Sequence, residues 1–273
     1  PMTRRPLDEV LPKKTAVEVQ RFYVLNLDRR EDRLAEVTEQ LNRVGIEFTR
    51  IAGVDGKLLP LPPGEKDGAG AYGCRLGHLR MLEDALTRGL ECIGVFEDDL
   101  VLAPDFRLKL DEALRTVPDD WQMLYLGCQH RAAPIKTAQK HIVRCSDCHR
   151  THAMIYRGRA TMEKLYKIWS ANHGHVDHIL NRTGAFKELK AYAIDPPIAG
   201  QGESKSDING RVNPERFWQH TAKRKVPAPP IGQRQRPCGA CNKRKQMEQK
   251  PKQPDKPYQF GTDPAFRQAM EGA

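Results

Sequence analysis

Three consecutive acids, Glu97, Asp98 and Asp99, follow directly on the apolar run Cys92-Ile93-Gly94-Val95-Phe96. An apolar run of that length, bounded by turn signals, reads as a buried strand. Acids at its carboxyl end stand at the edge where open α/β sheets bind ligands. Adjacent carboxylates repel one another, and a hard divalent cation with oxygen ligands relieves the repulsion. Two readings stay open at this level: a metal-centred site, or a charged loop after a strand. A second polar group, Asn26, Arg29, Arg30 and Arg33, follows the run Phe22-Tyr23-Val24-Leu25. Arginines at a helix N-terminus behind a strand are well placed for phosphate, although a solvated helix face accounts for Arg30 equally well. His78 falls on the first turn of a helix, as a ligand contact or as a satisfied structural histidine. Asp177 opens a helix behind His173-Gly174-His175-Val176, where a carboxylate serves either as chemistry or as an N-cap.

These residues need elements to hold them. Residues 21–27 are aromatic and β-branched and predict a strand. Leu34, Val37 and Leu41 recur at helical spacing behind Asp28, and Gly45 ends that helix. Residues 46–51 predict a second strand, closed by Asp55-Gly56. This strand, helix, strand order predicts a βαβ unit and a parallel sheet. Residues 60–73 are rich in proline and glycine and read as a loop. Leu76, Leu79, Met81, Leu82 and Leu86 then mark a helix that stops at Gly89. Further helices are predicted over 105–116, 160–169 and 177–181, and further strands over 121–127 and 151–156. No internal repeat is present.

The bulk numbers fit a globular chain of 273 residues, with 39% hydrophobic and 29% charged residues. No stretch reaches the roughly 18 uninterrupted apolar residues of a membrane span. Arg4-Arg5 are not followed by an apolar core, so no secretory signal is read and the expected location is cytoplasmic. The formal net charge of +10 is concentrated: Thr221 to Lys256 hold 11 Lys/Arg against 2 Asp/Glu. We therefore expect a flexible segment at 1–16, one folded domain at 17–218, and a basic, Pro/Lys-rich irregular tail at 219–273. The tail suits peripheral contact with the inner face of an anionic membrane, nucleic acid, or plain solubilisation. The main domain shows no basic stripe with interleaved aromatics, which argues against nucleic acid.

Seven cysteines are present. Cys74, Cys92 and Cys128 stand alone in apolar segments and read as buried thiols. Cys145/Cys148 and Cys238/Cys241 form two C-x-x-C pairs. A disulfide framework is not expected. The two pairs together could make a four-thiolate zinc site, Cys238/Cys241 alone could hold a structural zinc, or neither pair binds metal.

The segment Val95-Phe96-Glu97-Asp98-Asp99-Leu100-Val101-Leu102-Ala103-Pro104-Asp105-Phe106 resembles the metal-binding segment of GT-A glycosyltransferases. Three further stretches are similar to glycosyltransferase family 25, which includes bacterial lipooligosaccharide and collagen galactosyltransferases. They are residues 23–30 with Arg33, then 50–56, then Gly73-Cys74-Arg75-Leu76-Gly77-His78-Leu79. Later matches are Tyr125-Leu126-Gly127, Thr151-His152-Ala153, Val176-Asp177 and Ser206-Asp207-Ile208, in family order over roughly residues 20–210. Gly77 stands where the family usually has serine. The resemblance implies an α/β GT-A fold, Rossmann-like with a mainly parallel central sheet. It implies inverting transfer of a hexose, galactose or glucose, from a UDP-sugar to a saccharide, glycolipid or protein hydroxyl, in lipopolysaccharide biosynthesis or a related reaction. It implies Mn2+ or Mg2+ on Asp99, with Glu97 assisting. Donor contacts would come from Asn26, Arg29, Arg33, Asp55, His78 and Asp98, with Asp177 as general base. Asp55-Gly56 is also an ordinary turn pair. His175, His178, Gln201, Asp207 and His220 fall near where such enzymes complete the metal or acceptor site. The competing classes are a nucleic-acid binder using the tail and a zinc knuckle, and a GT-A fold that only binds.

Overall fold

We describe the chain through a computed structural model, in detail over residues 17–205 and 212–217. The expected segments at 1–16 and 219–273, with Cys238/Cys241, Asp207 and His220, lie outside the described residues.

The first βαβ unit forms as its periodicity predicts. Strand β1 (Arg21–Asn26) leads through helix α1 (Glu31–Arg43) to β2 (Phe48–Ala52). Val37 and Leu41 bury the inner face of α1. Glu31 and Asp32 open the helix and Arg43 closes it, each with the sign that favours the helix dipole. Helix α2 (Gly68–Thr87) then leads to β3 (Cys92–Glu97), the short β4 (Leu100–Leu102) and α3 (Phe106–Thr116). Next come β5 (Met123–Tyr125), β6 (Gln129–His130), β7 (Ile135–Lys136), β8 (Ile142–Arg144), β9 (Cys148–His149) and β10 (Ala153–Arg157). Helices α4 (Arg159–Ser170), α5 (Val176–Arg182) and α6 (Ala185–Glu188) precede β11 (Ala191–Ile194) and β12 (Ala199–Gln201). Among the described residues, no helix is long and apolar enough to cross a membrane.

Eight of these strands form one sheet in the order β2-β1-β3-β10-β5-β11-β8-β7. Neighbours β2, β1 and β3 are parallel, as are β5 and β11. Strands β10 and β8 run against their neighbours, so the sheet is mainly parallel with two reversed members. Side chains alternate across it. Tyr23, Leu25, Val95, Tyr125 and Met154 pack beneath α2, α4 and α5. Val24, Phe96, Leu124 and Ile155 pack with α1 and α3 on the other face. Helices on both faces explain why the strands read as continuous apolar runs rather than alternating ones.

Helix α2 begins at Gly68, inside the stretch expected to be loop. Three glycines in its first six residues disfavour helix by about 1 kcal/mol each, and tertiary packing overrides them. The helix is threaded against the turn at Gly56. A methyl at Gly73 would overlap the Val54 carbonyl oxygen and sit 2.7 Å from the Gly56 nitrogen. Only glycine allows that approach. Gly77 has a similar cause: a Cβ there would lie 2.5 Å from Leu25 Cδ1, so the leucine occupies the space a side chain would need.

This close passage is a testable constraint. Gly73→Ala should lower stability by about 1–3 kcal/mol, as overpacking does, seen as a lower urea midpoint with the slope unchanged. Wild-type stability in that variant would mean that α2 does not approach the Gly56 turn as described.

Candidate active site

The carboxyl ends of β1 and β3, the Gly56 turn, the start of α2 and the N-terminus of α5 enclose a cleft of about 440 Å³. Glu97, Asp98 and Asp99 all line it, together with Arg29, Arg33, Asp55, Lys57 and Asp177. The triplet therefore faces a ligand-sized cavity at the sheet edge.

The three acids have different surroundings. Asp98 is buried, and both its oxygens are engaged: Asn26 Nδ2 donates to Oδ2 at 2.8 Å and Arg33 Nη1 to Oδ1 at 2.9 Å. Burial raises its pKa, and the arginine and amide only partly counteract that. Asn26 also donates to the Arg30 carbonyl and accepts from Arg50 Nε. Asp98 thus joins Asn26 and Arg33, and ties the end of β1 and the start of α1 to the turn after β3.

Glu97 accepts from His78 Nε2 at 3.2 Å and from the Thr151 hydroxyl at 3.3 Å. Burial alone would raise its pKa, but the His78 contact and nearby histidines more than offset it, so the group stays acidic. His78 is buried behind Glu97 with its ring edge on Trp169. It supports the acid from below rather than lining the cleft.

Asp99 is left least satisfied. Gln201 Nε2 donates to its Oδ2 at 3.0 Å, while Oδ1 is a buried oxygen without a hydrogen-bond partner. Burial, with the charges of Glu97 and Asp98 beside it, raises its pKa to about 7. A buried acceptor without a partner is costly, and a divalent cation supplies what this oxygen lacks. The donor set is therefore suited to a hard ion: carboxylates of Asp99 and Glu97 lining a polar cleft.

At the opposite wall, Asp177 is buried in the first turn of α5. His175 occupies the N-cap position, and its side chain makes no capping bond. Asp177 Oδ2 accepts from the Arg150 backbone N–H at 2.9 Å, across 27 residues of sequence, and Oδ1 from the His178 N–H. Burial works against its charge, but these N–H groups and the histidines His178 and His149 lower its pKa. Arg150 itself has φ 75°, the one non-glycine residue with positive φ among the described residues. Such strain at a cleft wall is kept only where the surrounding structure enforces it.

Arg29 and Asp55 pair at 2.9 Å over the cleft mouth, and Asp55 also caps the Gly56 turn through the Lys57 N–H. Arg30 pairs with Asp32 and does not line the cleft. Sequence reasoning missed Lys57, Cys74, Arg150 and Arg216, which also line it. Only a folded chain brings them here, and Arg150 carried no motif. A buried Glu65–Arg75 pair at 3.2 Å, with Glu65 also accepting the Gly174 N–H, fastens the 60s loop to the segment before Asp177.

Comparison with known sequences places this architecture. A model of the family described as Glycosyltransferase family 25 (LPS biosynthesis protein) matches residues 19–196. The chain therefore belongs to glycosyltransferase family 25, and its α/β fold with a mainly parallel central sheet is the kind that the resemblance implied. Inactive glycosyltransferase 25 family member 3 of Mus musculus is 30% identical over 137 residues, covering 42% of this chain and 23% of that protein. Procollagen galactosyltransferase 1 of Danio rerio is 25% identical over 203 residues, 67% of this chain and 30% of that one. The chain thus spans less than a third of the length of these relatives. A solved glycosyltransferase involved in glycosylating the major capsid of PBCV-1 overlaps 64% of this chain and 83% of its own, with 10% identity and a TM-score of 0.39.

The bonding pattern around Asp98 predicts a stability signature. Asp98→Ala removes the buried acceptor shared by Asn26 and Arg33 and should destabilise by roughly 3–5 kcal/mol. Arg107→Ala, which removes one partner of the exposed Arg107–Asp111 pair, should stay within about 0.5 kcal/mol. Urea unfolding of both variants checks this, and equal small effects would contradict a structural role for Asp98.

Proposed function

We propose that the protein is a metal-dependent, inverting glycosyltransferase that moves a hexose, galactose or glucose, from a UDP-sugar to a hydroxyl of a saccharide, glycolipid or protein. One observation carries this reading: Asp99 Oδ1 is buried at the cleft without a partner, beside a second carboxylate. Asp99 and Glu97 would hold Mn2+ or Mg2+, and such an ion, when bound, neutralises charge on a departing nucleoside diphosphate.

The protein's own groups take the remaining roles. Arg29 and Lys57 bring positive charge to the cleft wall, where a diphosphate is attracted. Asp55 stands at the same wall for the ribose or base. Asn26, Arg33 and Asp98 act on the donor indirectly, by fixing the turn that aims Asp99. His78 does the same for Glu97. Asp177 is the base for the acceptor hydroxyl: its lowered pKa keeps it ionised near neutrality. Each of its oxygens accepts a backbone N–H, and a carboxylate oxygen can accept a second bond.

A second reading has one observation in its favour, since some relatives at 30% identity are named inactive. In that reading the cleft binds a sugar nucleotide without turning it over.

A panel of UDP-sugars assayed for Mn2+-dependent transfer or hydrolysis separates the two. Asp177→Asn should lower turnover by about 10²–10⁴-fold, the usual worth of a general base, while donor binding by calorimetry is retained. Asp99→Asn should lose both turnover and metal-dependent donor binding. Donor binding with no turnover of any sugar, wild-type included, would select the non-catalytic reading. Full activity in Asp99→Asn would end the proposal.

A further inference from the structure

A lone cysteine and a C-x-x-C pair that the sequence left apart meet in the fold. Cys128 lies immediately before β6, and the C-x-x-C pair Cys145/Cys148 lies at the start of β9. The two strands pair antiparallel with His130 opposite Cys148. Cys128, His130, Cys145 and Cys148 are all buried. Their ligand atoms lie within 4.8 Å of one another. Cys128 Sγ is 3.8 Å from Cys148 Sγ and 3.4 Å from His130 Nε2, and His130 Nδ1 is 3.3 Å from Cys148 Sγ. Cys145 and Cys148 are in bonding contact with each other. The expectation that Cys128 stands alone is thereby corrected.

We propose that Cys128, His130, Cys145 and Cys148 form a structural zinc site. Zn–S bonds of about 2.3 Å and Zn–N bonds of about 2.0–2.1 Å in a tetrahedron put neighbouring ligand atoms roughly 3.3–3.8 Å apart. The Cys128–Cys148 separation has that length, and His130 lies between the two sulfurs, so one of its ring nitrogens would complete the set with a small turn of the ring. A Cys145–Cys148 disulfide would use only two of the four groups. Zinc uses all four, in the Cys3His set typical of closed structural sites. On binding, the three thiols release their protons to solvent and the imidazole binds neutral, so the occupied site carries a single net negative charge.

The site has work to do where it stands. Strands β6 and β9 have two residues each, too few to hold a ribbon by hydrogen bonds alone. The ribbon leads straight into Arg150 and Thr151, which reach Asp177 and Glu97. The Cys148 carbonyl also accepts from Asn181 Nδ2 on α5. Zinc at the base of the ribbon would hold Arg150 in its left-handed conformation against Asp177. Zinc binding itself is independent of the proposed transferase reaction.

Metal analysis of the full chain, purified without chelator, tests the proposal. One tightly held zinc per chain is expected, retained in a Cys238→Ser/Cys241→Ser double variant and lost in Cys128→Ser and His130→Ala. Variants that fail to fold leave the wild type to decide. Cobalt substituted for zinc should give the thiolate-to-cobalt charge-transfer and intense d–d bands of a tetrahedral, thiolate-rich site. Chains that carry no zinc, with Cys145 and Cys148 two hydrogens lighter by mass after alkylation, would overturn the proposal in favour of a disulfide. Zinc lost only in the Cys238/Cys241 variant would overturn it as well.

Discussion

Three carboxylates crowded into one turn at a sheet edge are the constraint on which the rest of this structure depends. Like charges that close are tolerable only if each finds compensation. Asp98 takes its compensation from Asn26 and Arg33, and Glu97 from His78 and Thr151. Asp99 receives one amide and keeps one buried oxygen unanswered. Two acids are thus settled by the protein, and the third is held ready for something that comes from outside. The helix–strand framework can be seen as the apparatus for that arrangement. Strand β1 delivers Asn26, α1 delivers Arg33, and α2 delivers His78 beneath the same turn.

The second wall of the cleft is built differently. Asp177 is reached from far along the chain by the Arg150 backbone, which sits in a conformation few side chains adopt. That wall has little regular structure of its own. It is fastened at one end by the buried Glu65–Arg75 pair and at the other by the cluster of cysteines and His130 under the β6–β9 ribbon. In the proposed transferase, the acidic edge would meet the donor and the Asp177 wall the acceptor.

Much of this was legible in the residues. The β1–α1–β2 unit followed from periodicity, and the acids after β3 pointed to the ligand-binding edge of a sheet or to a charged loop, between which the cleft decides. Other features were hidden for physical reasons. The start of α2 read as loop because its glycines have poor helix propensity, and the close approach to the Gly56 turn that requires them is a tertiary fact. Strands β11 and β12 are short and carry small residues, so they have no pattern of their own. Arg33 and Asp98 line the cleft, and Asn26 and His78 stand behind it, yet sequence cannot tell a residue that touches a ligand from one that braces its neighbour. Arg150 was invisible because its part is played by a backbone N–H. Cys128 and His130 were passed over because the spacing that matters runs across a strand pair rather than along the chain.

The central claim is that Asp99 holds a divalent cation that a sugar nucleotide shares. Crystals grown with Mn2+ and UDP, measured at the manganese absorption edge, address it directly. The account predicts an anomalous peak within coordination distance of Asp99 Oδ1, with the diphosphate against it. UDP seated in the cleft with no manganese at Asp99, or manganese bound only elsewhere on the molecule, would contradict it.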